Sequence, residues 1–357
     1  MNILRPILLL ASFPMFTLNA TAQISLAPPA EQTPQVSGKP AAKPKAKPQA
    51  VAKKPAATSN PAATPTPTAT VTPAPPPDDP NVDLVYGAYQ RGMYKTTFDL
   101  ATRRAQDNGD PKAMTMLGEL YANGFGVKRD DAKAADWYRR GADGGDREAM
   151  FELAMLHLAG RGGPVNREEA VKLLASSAKL GNPKAAYNLA LLYLDGQTLP
   201  QDLKRSAELL RLAADAGNPE AQYALATFYK EGTGVPKDPE KAVRLLQAAS
   251  LADNIDAELE YAIALYNGTG TPKNEPAAVA LLRKAAKQNN PIAQNRLARV
   301  LASGQGAPAD RVEALKWHII AKTAGKGDPM LDEALASVSP EDRAKAEAAV
   351  RKWLGTR

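Results

Sequence analysis

Asp110-Pro111-Lys112-Ala113-Met114-Thr115-Met116-Leu117-Gly118-Glu119-Leu120-Tyr121-Ala122-Asn123-Gly124 returns 36 residues later as Asp146-Arg147-Glu148-Ala149-Met150-Phe151-Glu152-Leu153-Ala154-Met155-Leu156-His157-Leu158-Ala159-Gly160. The same alanine stands at Ala113, Ala149, Ala185, Ala221, Ala257 and Ala293, and the same glycine at Gly124, Gly160, Gly196, Gly232, Gly268 and Gly304. No insertion breaks the period between residues 110 and 325. A fixed period of this size means a solenoid of stacked units, each too small to bury its apolar face alone. Solenoids bind, hold or position other molecules, and that frames the functional question.

Within a unit the punctuation spells helix, loop, helix. Asp110, Asp146, Asn182, Asn218, Asn254 and Asn290 are short acceptors, four of them followed by proline (Pro111, Pro183, Pro219, Pro291). That pattern is an N-cap with proline at the first helical position, where its missing donor costs nothing. A second series, Asp130, Asn166, Asp202, Asp238, Asn274 and Asp310, caps a second helix, with Glu169 and Glu313 placed for capping boxes. Glycine before the first cap (Gly109, Gly145, Gly181, Gly217) suits the left-handed residue that ends the preceding helix.

Each helix carries one apolar stripe. In the first helix it runs Ala113, Leu117, Leu120, Tyr121, and in the second Ala134, Trp137, Tyr138, Gly141. The slot after the leucine register holds only small residues: Gly118, Ala154, Ala190, Ala226, Ala262 and Ala298. Small residues there let helices approach closely, so a leucine would overpack the stack.

These residues resemble the Sel-1-like repeats, relatives of the tetratricopeptide repeats. The first unit reads Ala113-x-x-x-Leu117-Gly118-x-x-Tyr121-x-x-Gly124-x-Gly126-Val127-x-x-Asp130, then Lys133-Ala134-x-x-Trp137-Tyr138. A tetratricopeptide unit has 34 residues, and the two extra ones here fall in the glycine loop between the helices. The resemblance implies an all-α fold, a right-handed α-solenoid of about seven antiparallel helix pairs with a C-terminal capping helix. Thr198 replaces the second loop glycine, and Leu265 and Leu301 replace the counterpart of Tyr121, which puts local loop shape in question.

The expected organisation follows. Residues 81–108 form a divergent helix pair, residues 109–325 the six repeats, and residues 326–357 a cap whose last helix starts at Ser339-Pro340 and ends near Trp353 and Leu354. Upstream, Arg5, the apolar run Ile7 to Leu18 and Ala20-Thr21-Ala22 read as a signal peptide (1–22) cut after Ala22. Pro14 and the short apolar run argue against a spanning helix. Residues 23–80, rich in proline, alanine, threonine and lysine, read as a disordered spacer. Its Lys39-Pro40, Lys43-Pro44-Lys45 and Lys47-Pro48 runs would contact an anionic cell-wall polymer weakly.

Composition narrows the chemistry. The net charge is +7, of which the spacer contributes +3 and Arg5 one more, so residues 81–357 carry +3: a mixed surface and no nucleic-acid footprint. Without cysteine there is no thiol nucleophile, disulfide or usual structural zinc site. His157 and His318 stand in slots otherwise held by Tyr121 and Tyr138, so they read as packing substitutes. Gly160-Arg161-Gly162-Gly163 lies between helices and not after a strand, which argues against a phosphate cradle. Asp332-Glu333 and Glu341-Asp342 read as solvated turn and helix-start charges. No enzyme activity, metal or cofactor is expected.

In the resembled family the first helix of each unit lines the concave side. One of its slots reads Thr115, Phe151, Tyr187, Tyr223, Leu259, Asn295, an aromatic ladder that either meets a ligand or packs between units. The next reads Met116, Glu152, Asn188, Ala224, Glu260, Arg296, varied as a recognition surface would be. Phe151, Glu152, Tyr187, Asn188, Tyr223, Glu260 and Arg296 are therefore the candidate partner-binding residues, with Asn188 able to clamp a backbone amide. The expected role is a non-enzymatic periplasmic scaffold or adaptor for a protein or peptide of the cell envelope. Alternatives are a regulator of an envelope sensor and a protein that binds or acts on peptidoglycan.

Overall fold

The computed structural model describes residues 83–355. The leader and spacer expected at residues 1–22 and 23–80 lie outside the described residues. Sixteen helices and no strand occupy the described residues. Two of them, α1 (Leu84–Gln90) and α2 (Tyr94–Asn108), form the divergent first pair across a turn at Gly92. Six pairs follow: α3 (Pro111–Asn123) with α4 (Asp131–Asp143), α5 (Arg147–Ala159) with α6 (Arg167–Lys179), and α7 (Pro183–Asp195) with α8 (Leu203–Asp215). Then come α9 (Pro219–Glu231) with α10 (Pro239–Leu251), α11 (Ile255–Asn267) with α12 (Glu275–Lys287), and α13 (Pro291–Ser303) with α14 (Arg311–Thr323). Short α15 (Pro329–Ala334) packs on α13, and α16 (Pro340–Leu354) closes the stack on α14.

All twelve expected caps form: each side-chain oxygen of the two series accepts at least one backbone N–H from the first turn it precedes. The capping boxes do not close. The backbone N–H of Asn166 already donates to the His157 carbonyl, and that of Asp310 to Leu301, so nothing is left for the glutamate to accept. Glu313 instead takes the indole N–H of Trp317 at 3.1 Å and pairs with Arg283.

The core is laid down by repetition. The alanines of the Ala113 slot are at most 2% exposed and the small residues of the next inner slot are all buried. Gly118 is explained by its neighbour. A Cβ there would stand 2.5 Å from the Tyr138 ring. The counterparts of Tyr138 in the other units are Leu174, Leu210, Leu246, Leu282 and His318, beside which alanine fits. The second loop glycine has an equally local cause: a Cβ on Gly234 or Gly270 would lie 2.2 or 2.3 Å from the carbonyl oxygen of Leu203 or Pro239, at the start of the previous unit's second helix. Each loop thus seats on the unit before it.

Two departures from the pattern appear. Thr198 has no positive φ, and its loop is held differently, with the Gln197 N–H donating to Asp195 Oδ1 at 2.9 Å. Units five and six begin after non-glycine residues in the left-handed region, Asp253 (φ 59°) and Asn289 (φ 64°), residue types whose short polar side chains tolerate it.

Candidate functional site

The candidate residues lie on the first helices of the units. Helix α3 approaches α5 directly and α13 approaches α15, skipping the helix between. The candidate residues can be placed on these helices one by one.

The ladder divides. Phe151 is only 8% exposed and sits in one buried cluster with Leu174, Ala178 and Ala186, while Lys184 Nζ lies 5.8 Å above its ring. It belongs to the packing between units and not to a free surface, because its slot faces the following helix pair. The ends of the ladder show the same direction: Thr115 Oγ1 meets Asp146 Oδ2 at 2.7 Å, and Asn295 donates to the Lys326 carbonyl at 3.3 Å. Tyr187 and Tyr223 are half-buried, each packed against a core cluster on one side. Burial, seconded by Glu220, raises the Tyr187 phenol, and burial, seconded by Glu260, pushes Tyr223 up to about 12.

The neighbouring slot is half-exposed at every candidate position: Glu152, Asn188, Glu260 and Arg296. Burial and, second, the nearby Glu119 carboxylate push Glu152 up to about 7, against the opposing pull of Lys184 and Arg161. Asn188 donates to the Lys184 carbonyl at 2.8 Å, so its amide nitrogen is tied to its own helix. Glu260 accepts from Lys230 Nζ at 3.0 Å. Arg296 is lowered by burial, and its Nε is buried without a hydrogen-bond partner. In unit order these part-exposed positions read Glu119 and Glu152, then Tyr187, Leu191, Tyr223 and Thr227, then Glu260 near Arg296, and Arg299. Arg299 is already bound to Asp328 at 2.6 Å.

Two features escaped the sequence reading. Polar ties recur at separations of 30 or 31 residues: Asp131 with Arg161 at 2.7 Å, Arg147 carbonyl with Ser177 at 2.6 Å, Lys230 with Glu260 at 3.0 Å and Asp253 with Lys284 at 2.8 Å. Complementary residues offset from the 36-residue period by one turn and a half were the available signal. The second feature is a polar slot inside the stack. Gln222 and Gln294 donate to the terminal carbonyls of Ala214 and Ala286, and the fully buried Glu258 pairs with Lys284 at 2.8 Å. These groups hold units together and do not face a ligand.

The remaining sequence candidates are structural. His318, 2% exposed, holds Asp332 at 2.8 Å through Nε2, and Asp332 also accepts from Lys322. Glu341 and Asp342 occupy the first turn of α16 and pair with Lys345. Among the described residues no helix is long and apolar enough to cross a membrane.

The Sel1 repeat model matches six times, over residues 111–146, 147–182, 183–218, 219–254, 255–290 and 291–326, in step with the helix pairs. A Sel1 repeat protein from Oxalobacter formigenes is similar over 68% of this chain and 100% of its own, at 26% identity and a TM-score of 0.60. A protective antigen present in uropathogenic Escherichia coli strains, displaying an SLR fold, is similar over 74% of this chain and 64% of its own, at 24% identity and a TM-score of 0.51. No curated protein matches the chain. Proteins built on this repeat are as a class interaction scaffolds, generally without catalysis. With six repeats spanning more than half its length and the paired helices to match, the chain belongs to the Sel1 repeat family.

Proposed function

We propose that the chain is an exported, periplasmic scaffold that binds a protein or peptide of the cell envelope along the inner row of α5, α7, α9, α11 and α13, without chemistry of its own. The observation that carries this reading is the slot Met116, Glu152, Asn188, Ala224, Glu260, Arg296. Its residues change from unit to unit and stay half-exposed above a core that does not change. Part-exposed positions with carboxylates at Glu119 and Glu152, half-buried tyrosines in the middle and Arg296 with an unpartnered Nε near Glu260 suit an extended peptide. Amide and aromatic groups supply the anchoring. The leader expected at residues 1–22 supports export.

The test is site-specific photocrosslinking in the native envelope. A photoreactive residue at Asn188 or Ala224 is expected to give one discrete adduct that the same residue at Ser176, on a second helix, does not give. Equal adducts from both positions, or none, remove the inner-row reading. Amino-terminal sequencing of the envelope-fraction protein checks export, with Gln23 expected as the first residue.

A further inference from the structure

The two ends of the stacked helices differ in what they expose. Successive helices pack side by side in opposite directions, so the loops within units lie at one end of the helices and the turns between units at the other. Neighbouring turns are tied together: Arg147 donates to the Leu180 carbonyl at 3.2 Å, Lys284 Nζ to Asp253 Oδ1 at 2.8 Å, and Asn295 to the Lys326 carbonyl at 3.3 Å. They share one edge. Among the described residues the loop edge exposes one large apolar side chain, Val165, whereas the turn edge exposes Leu180, Leu212, Leu251, Ile255 and Ile292, with Met330 just beyond.

Leu251 is 81% exposed, so packing within the chain does not account for it. The other units put Asp143, Lys179, Asp215, Lys287 and Thr323 in its slot, and Ile292 stands where they have Lys112, Glu148, Lys184, Glu220 and Asp256. The charges around these apolar groups are ordered. Lys284 is taken up by Asp253 and Glu258, and Lys322 by Asp332. Five exposed charges have no ion partner among the described residues: Asp215 and Glu220 at the turn after α8, Asp256 at the turn after α10, Lys287 at the turn after α12, and Lys326 after α14. Four successive turns therefore read acid, acid, base, base.

We propose that the turn edge from α8 to α15 is a self-association surface, on which a second copy of this chain lies in the opposite direction. A two-fold axis between the turns after α10 and α12 sets every acidic turn against a basic one: Asp256 meets the partner's Lys287, and Asp215 and Glu220 meet the partner's Lys326. The same axis brings Leu251 and Ile255 onto the partner's Ile292 at the centre, and Leu212 toward the partner's Met330. That is an apolar core inside a charged rim. The order acid, acid, base, base complements itself along its full length only when reversed. A ligand of one sign meets repulsion over half the edge, and an anionic membrane surface is repelled by Asp215, Glu220 and Asp256. None of these residues is among the partner-binding positions proposed above, so the two readings stand or fall separately.

Sedimentation velocity of the intact chain across a concentration series tests it. A contact made by a few helix ends is small, so a reversible dimer forming at about 10 µM is expected. Leu251→Asp gives unit four the residue that unit three carries in that slot, Asp215, and should weaken the dimer about tenfold or more. Leu180→Asp, at the turn after α6 and outside the contact, should leave it unchanged. Asp256→Lys should weaken it about fivefold, since the lost pair occurs twice, and adding Lys287→Glu should bring it back to within about twofold. Circular dichroism melts confirm that each variant keeps the stack. A chain that stays monomeric up to about 200 µM overturns the proposal. So does a dimer that ignores Leu251→Asp, one that loses as much from Leu180→Asp, or one that the double charge exchange does not restore. The photocrosslink at Asn188 is independent of all these outcomes.

Discussion

Leu117, Leu153, Leu189, Leu225 and Leu297 occupy one slot of the first helices, and Met116, Glu152, Asn188, Ala224 and Arg296 occupy the slot one residue before it. The two slots share helices, period and neighbours, yet the leucines are at most 4% exposed while the others are half-exposed. A hundred degrees of helical rotation separates them. The inner slot is closed over by packed neighbours and is leucine in five units; the fifth unit puts the half-buried Tyr261 there. The outer slot is only part-closed, so its residues differ from unit to unit, and some of them reach a neighbour at their tips, as Glu260 does with Lys230. Phe151 shows how narrow the division is. It stands one residue before Glu152 and is packed away between units.

The comparison breaks if buried and outer-slot positions respond alike to a charge. Phe151→Asp should lose about 3 kcal/mol or more, because it leaves both a cavity and an unpaired buried charge. Asn188→Lys should stay within about 0.5 kcal/mol of the unsubstituted chain. Urea unfolding followed by circular dichroism separates the two; equal losses would mean the outer slot is core. A variant that adds Phe151→Asp to Tyr187→Asp and Tyr223→Asp is therefore a poor probe of binding, since it damages the stack before it reaches a partner.

A sharper form of the comparison concerns Gly118 and Tyr138. Gly118→Ala should cost about 1 to 3 kcal/mol by driving a methyl into the tyrosine ring. The same change in a Tyr138→Leu background, which imitates the other units, should cost much less. A double-mutant cycle with no coupling between the two would sink the explanation of why one unit alone needs glycine there.

Glu152 tests the outer slot from the side of pH. Its folded value of about 7 lies above the usual 4.5, so the folded chain binds the proton more tightly than the unfolded one. Stability is then lost as pH rises between about 4.5 and about 7, and the deficit is fully present above that window. Glu152→Gln removes it. The variant should be more stable than the parent by about 1 to 2 kcal/mol at pH 8, after allowing for the groove's opening to water, and indistinguishable near pH 4. Melting temperatures across that range decide it, and a constant difference would place the carboxyl in ordinary solvent. The smallest effect is expected at Asn289: Asn289→Gly should gain about 0.5 kcal/mol by relieving the left-handed backbone.

Much of this was legible before any coordinates. The twelve caps, the turn at Gly92, the helix from Ser339 and the core alanines all follow from local rules repeated six times over, which is why they could be read. The capping boxes at Glu169 and Glu313 failed as expectations because a carbonyl from the preceding helix had already taken the cap's N–H, a contact that local spacing does not encode. The candidate positions show the same limit. The period located the slots, but it could not say that Phe151 is packed between units while Glu152, one residue on, stays part-exposed.

Sequence alone determined the unit, its length, its helices and the number of copies, because each rests on caps and stripes within a single turn or two. Tertiary structure alone decided which side chains of a stripe are closed over by the following unit. It also set the ties at 30 or 31 residues that lock the stack, and the bare carboxyl of Glu152 beside the held carboxylate of Glu119. Those depend on the angle at which one helix pair lies on the next, a quantity that no residue carries by itself and that only the packed neighbours jointly set.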